Sequence, residues 1–120
     1  MHDIEDLLVK ARTLGEALAA HPRVKSYYAA QHAIRIDEAA RKLLQDYQVH
    51  MARIHELEAA RKPVEVADKQ KLREFETQMA SNGVLKSLMR AQADYVELMN
   101  KVNETMEAPL AALVHPETPA

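Results

Sequence analysis

Leu85-Lys86-Ser87-Leu88-Met89-Arg90-Ala91-Gln92-Ala93-Asp94-Tyr95-Val96-Glu97-Leu98-Met99-Asn100-Lys101-Val102-Asn103-Glu104-Thr105-Met106 is the stretch from which the rest of the chain is read. Leu85, Leu88, Gln92, Tyr95, Met99, Val102 and Met106 recur at alternating steps of three and four. That period places them on one stripe of a helix and, held over three heptads, makes a coiled-coil-like seam. Val84 and Leu98 widen the stripe. The spacing predicts a last helix from about Val84 to Ala108, stopped by Pro109.

Working backwards, Ser81-Asn82-Gly83 is a break. Residues 64–80 form a weaker helix carrying Val66, Leu72, Phe75 and Met79. Pro63 separates it from a long helix, about Glu38 to Lys62, which would span roughly 37 Å. Its stripe is Ala40, Leu43, Tyr47, His50, Ile54 and Leu57, flanked by Leu44 and Met51. Asp37 offers the N-cap and Glu38 an acid in the first turn. A short helix over about Arg23 to Ile34 precedes it. His21-Pro22 ends a first amphipathic helix over 4–18, with Ile4, Leu7, Ala11, Leu14 and Leu18 on its stripe and Asp3 as its cap.

No segment alternates with period two, so the fold class is all-α. Two long helices of similar length, 38–62 and 84–108, predict a long antiparallel hairpin with shorter flanking helices. Their stripes look wider than one partner helix covers, so a dimeric helical bundle is expected. The candidate interface is Leu43, Tyr47, His50, Ile54, Leu57, Leu88, Tyr95, Met99, Val102 and Met106. Residues 1–108 read as one helical domain and 109–120 as a flexible, proline-containing tail.

Composition excludes several function classes. The chain has 120 residues, two glycines and no cysteine. A disulfide scaffold, a thiolate nucleophile and a Cys-ligated metal centre are therefore absent, and glycine-rich phosphate loops lack their material. Sixteen Lys and Arg against 18 Asp and Glu leave a net charge of -2. Residues 1–62 carry 10 basic and 9 acidic groups, and residues 63–120 carry 6 and 9, so neither half is a basic arm. This balance does not point to direct nucleic-acid binding. The acidic N-terminus does not resemble a secretory signal, and no apolar run is long enough to span a membrane; a cytoplasmic protein is expected.

The polar residues add no catalytic pattern. His50 and His55 are five apart, about 140° around a helix, and do not share a ligand face. His55 and Glu58 are spaced for a metal, but no second such pair completes a bundle-type di-metal site. Glu38 with Lys42, Glu58 with Lys62 and Glu97 with Lys101 are Glu-first i,i+4 pairs of a solvated helix face. No cofactor or metal is expected.

Two runs resemble a known family. Asp37-Glu38-Ala39-Ala40-Arg41-Lys42-Leu43-Leu44-Gln45-Asp46-Tyr47 is similar to the helix-opening run of the YlbF/YmcA family, and Met79-Ala80-Ser81-Asn82-Gly83-Val84-Leu85-Lys86-Ser87-Leu88 is similar to its break before the last helix. The order of elements agrees from about Ile4 to Met106. Members have proline after each break's Asp or Asn, where this chain has Glu38 and Gly83. The resemblance implies a small helical bacterial protein, non-enzymatic, working as a dimer or higher oligomer with a protein partner. It further implies control of competence, sporulation or biofilm formation through RNA processing. Some members hold an iron–sulfur cluster on cysteines; a chain without cysteine has no ligand for it.

The leading expectation is thus a regulatory adaptor acting by homo-oligomerisation and protein–protein interaction. The alternative is an RNA-associated or chaperone-like helical protein contacting its ligand through Arg35, Arg41, Lys42, Arg61 and Lys62. A carboxylate-bridged metal enzyme is the third reading.

Overall fold

Asp37 and Asn82 divide the chain, and each does so by the same chemistry. A short polar side chain outside a helix accepts a hydrogen bond from a backbone N–H that the first turn leaves unpaired. In the computed structural model, which describes residues 3–114, Asp37 Oδ1 accepts from the Ala40 N–H at 3.0 Å and Asn82 Oδ1 accepts from the Leu85 N–H at 3.0 Å. Both caps sit in extended backbone, Asp37 at φ -102° and ψ 102°, Asn82 at φ -87° and ψ 116°.

Five helices result: α1 (Asp3–Ala20), α2 (Pro22–Ile36), α3 (Glu38–Ala59), α4 (Val66–Ser81) and α5 (Gly83–Val114). No strand occurs among the described residues, as the absence of period-two patterning requires. Pro22 opens α2, where its missing N–H costs nothing. His21 Nδ1 caps that helix by accepting from the Arg23 N–H at 3.1 Å.

Two helix ends differ from expectation. α3 stops at Ala59, before Pro63 is reached. The Lys62 N–H reaches back to the Leu57 carbonyl at 2.8 Å and the Arg61 N–H to the Glu58 carbonyl at 3.1 Å. These two bonds form a Schellman closure, with Arg61 at φ 57° in the left-handed position that glycine ordinarily fills. α5, in turn, runs through Pro109 to Val114. Proline removes one hydrogen bond to the Thr105 carbonyl, but Thr105 is exposed and water can take that place. Residues 115–120 of the expected tail lie outside the described residues.

The described chain falls into two units, residues 28–90 and residues 3–27 with 91–114. In the first, the hairpin unit, α3 packs antiparallel on α4: Tyr47 meets Phe75 edge-on at 6.4 Å between ring centres, and His50 meets Asp68. The expected hairpin is therefore present with a different second arm. α4 takes the place assigned to 84–108, because the short connection after Ala59 returns the chain directly along α3. The core of this unit is Ala40, Met79 and Leu85, with Ile34, Leu43, Leu44, Tyr47 and Val84 packed around it. Ala40 and Leu85 are 0% exposed, so the start of α5 belongs to this core. In the second, terminal unit, Tyr27 of α2 stacks on Tyr95 of α5 at 4.2 Å and 13°, and Val24 and Ala91 are buried. Arg23 and Glu97 approach to 4.0 Å at the surface, a pair that contributes little in water.

Candidate interaction surface

The stripe of α3 turns inward. Leu43 and Tyr47 pack on the Ala40–Met79–Leu85 core, His50 and Ile54 are buried, and Leu57 is half-buried. His50, 5% exposed, donates from Nε2 to the Asp68 main-chain carbonyl at 2.8 Å, and its ring lies 5.7 Å from that of Phe75. Arg53 Nε donates to Asp68 Oδ1 at 3.3 Å, while Asp68 Oδ2 is buried without a hydrogen-bond partner. Thus the five α3 members of the candidate interface sit largely inside the chain's own hairpin. A shallow cleft of about 430 Å³ runs beside them, lined by Asp46, Val49, His50, Arg53, Lys71 and Phe75. Its two cations are engaged, Arg53 with Asp68 and Lys71 over the Phe75 ring at 5.8 Å.

The stripe of α5 turns outward along its length. Leu88 is half-buried and Tyr95 is stacked on Tyr27. Met99 and Val102 are half-buried, and Met106 is 55% exposed. Beyond Pro109 the same stripe continues through Leu110 and Leu113, 62% and 76% exposed. Sequence reading missed these two because it ended the helix at the proline; their spacing of four and three from Met106 was the available signal. α1 behaves likewise. Leu14 and Leu18 are half-buried, whereas Ile4, Leu7, Leu8 and Val9 are exposed, and α1 contains no buried residue.

The basic residues proposed as nucleic-acid contacts are not gathered into one patch. Arg35 lies in the last turn of α2, and Arg41 and Lys42 lie at the start of α3, where Arg41 Nη1 donates to the Arg35 carbonyl at 3.0 Å. Arg61 and Lys62 lie past its other end, roughly 33 Å away along 22 residues. Among the described residues no three His, Asp or Glu side chains come together in a metal-binding arrangement. Among the described residues no helix is long and apolar enough to cross a membrane.

This architecture has known counterparts. A protein of unknown function (DUF964) from Bacillus stearothermophilus superposes with a TM-score of 0.67 at 19% identity, covering 94% of this chain and 99% of that one. Bacillus subtilis RicA, crystallised in complex with RicF, superposes with a TM-score of 0.69 at 15% identity, covering 91% and 96%. At such identities the likeness is one of fold. No curated protein matches. At the level of sequence, a family model described as control of competence regulator ComK, YlbF/YmcA, matches residues 7–111, from the first apolar turn of α1 to beyond Pro109. With nearly the whole helical chain inside that match, the protein belongs to the YlbF/YmcA family of regulators.

Proposed function

We propose that this chain is a non-enzymatic, cytoplasmic regulatory adaptor that works by self-association and by binding a second protein, in the control of RNA processing or of developmental regulation. The observation that carries the reading is the outward apolar stripe at the end of α5, Met106, Leu110 and Leu113, in a chain of this family. A soluble helix leaves such a stripe open when another protein surface covers it. The structural counterpart RicA was crystallised in complex with RicF; this chain would likewise bind a protein, through helix faces rather than a pocket. Light scattering on the purified chain at micromolar concentration tests the self-association. The expected mass is about twice 13.6 kDa; a mass of one chain contradicts it. Co-elution with a second YlbF/YmcA-type chain of the same genome tests the adaptor role, and failure of every such pair to co-elute contradicts that part.

A further inference from the structure

The chain has three asparagines, Asn82, Asn100 and Asn103. Asparagine is thermally labile, because the main-chain nitrogen of the next residue can attack its side-chain amide carbon. The attack needs a nitrogen that is neither hydrogen-bonded nor shielded. Asn100 and Asn103 are exposed, but both lie inside α5. The nitrogens that follow them, of Lys101 and Glu104, donate to carbonyls four residues back, and each is flanked by its own side chain. Asn82 differs on both counts. Gly83 opens α5, so its N–H belongs to the first turn, where no helical carbonyl is left to accept it. Gly83 is also exposed, and nothing lies within 4 Å of the position a Cβ would take.

The cap holds the reacting groups apart. Asn82 Oδ1 accepts from the Leu85 N–H at 3.0 Å, and the Asn82 carbonyl accepts from the Lys86 N–H at 2.9 Å. At ψ 116° the Gly83 nitrogen is turned away from Cγ, so the attack waits on rotation about the Asn82 Cα–C bond. We propose that Asn82 is a modification site, deamidated by its own backbone whenever the cap of α5 opens. In the first step the Gly83 nitrogen gives its proton to a solvent base and bonds to Asn82 Cγ. The Cγ–Nδ2 bond breaks, and the side-chain nitrogen takes up a proton and leaves as ammonia. Water then opens the resulting five-membered imide at either carbonyl; one water enters, one ammonia departs and nothing is oxidised or reduced. One opening leaves aspartate, which keeps the cap acceptor and adds a negative charge at the positive end of α5, taking the net charge from -2 to -3. The other leaves isoaspartate, which lengthens the main chain by one carbon and withdraws the acceptor from the Leu85 N–H. Leu85 is 0% exposed in the hairpin core, so this second product loosens that core. Neither product involves the self-association proposed above.

Trypsin places the three asparagines on separate peptides, residues 74–86, 91–101 and 102–120. The test incubates the full chain in warm, mildly alkaline buffer and follows each peptide by chromatography and mass spectrometry. Peptide 74–86 is expected to convert about tenfold faster or more than the other two, whose asparagines react only when the helix interior opens. Two products of equal mass are expected from it, aspartate and isoaspartate. In guanidinium chloride, where no cap exists, its conversion is expected to speed up about fivefold or more, the factor that one cap bond of ordinary strength is worth. Gly83→Pro, which has no N–H to surrender, is expected to block conversion both in buffer and in guanidinium chloride. Conversion of Asn82 no faster than that of Asn100 and Asn103 in the folded chain would overturn the site. A single product, or conversion that persists in Gly83→Pro, would overturn the attack by the backbone. Equal rates with and without guanidinium chloride would overturn the control by the cap.

Discussion

The hairpin unit and the terminal unit use the same sequence device to opposite ends. Both carry apolar residues at steps of three and four. In the hairpin unit Ala40, His50, Ile54, Met79 and Leu85 are buried, and α4 supplies the second wall. In the terminal unit only Val24 and Ala91 are buried among the described residues, while nine large apolar side chains stand exposed, against five in the hairpin unit. One stripe makes a core and the other makes a surface. The difference comes from what the chain does next. After Ala59 a Schellman turn sends it back along α3, whereas after Ala91 α5 simply continues for more than six turns without a returning helix.

The largest expected contrast comes from truncating one leucine in each unit. Leu85→Ala removes a fully buried side chain and should lower the unfolding free energy by about 2–5 kcal/mol. Leu110→Ala alters an exposed position and should change monomer stability by less than about 0.5 kcal/mol, while weakening self-association. Urea unfolding well below the dimer dissociation constant separates the two. Equal losses would break the distinction between core and surface.

Ala40→Leu should cost about 1–3 kcal/mol, because Ala40 is 0% exposed and has Met79 and Leu85 against it. Thermal melts read this directly. A neutral result would mean that the hairpin core is loosely packed. Asp37→Ala and Asn82→Ala should each cost about 1 kcal/mol through loss of one cap bond.

Two changes should stabilise, by smaller amounts. Arg61→Gly relieves a left-handed backbone position and should gain about 1 kcal/mol. Gly83→Pro should gain about 0.4–1 kcal/mol. Gly83 has a negative φ with nothing within 4 Å of a Cβ built on it, and Asn82 already occupies the extended region that proline asks of its predecessor. Chemical denaturation checks both, and a loss at either position would contradict the backbone geometry described here.

Caps and stripes were legible in the sequence because they are local. Asp37 announced a helix start by side-chain chemistry that acts within four residues, and Ser81-Asn82-Gly83 announced the break before the last helix. The turn after Ala59 was hidden because its left-handed residue is an arginine, and nothing in a single sequence marks an arginine for that role. Gly83 lies in the break, yet Asn82 performs the cap and the glycine needs no special conformation. Pro109 was read as a stop, although a lone proline on an exposed helix face loses only one hydrogen bond, and this concealed Leu110 and Leu113. Least legible was which stripe faces inward. The α3 residues Leu43, Tyr47, His50, Ile54 and Leu57 and the α5 residues Tyr95, Met99, Val102 and Met106 have the same period, so both sets read equally well as interface. Only the packing of α4 on α3 distinguishes them.

The account stands on the proposal that the exposed apolar stripe at the end of α5 is covered by a second copy, while α4 covers the α3 stripe. Amide hydrogen exchange on the wild-type chain at several protein concentrations measures this most directly. Protection over residues 99–113 should rise with concentration and fall in a Leu110→Glu variant, while protection over residues 40–57 stays constant. Protection of the α5 arm that is independent of concentration, or protection of the α3 stripe that tracks it, would contradict the account.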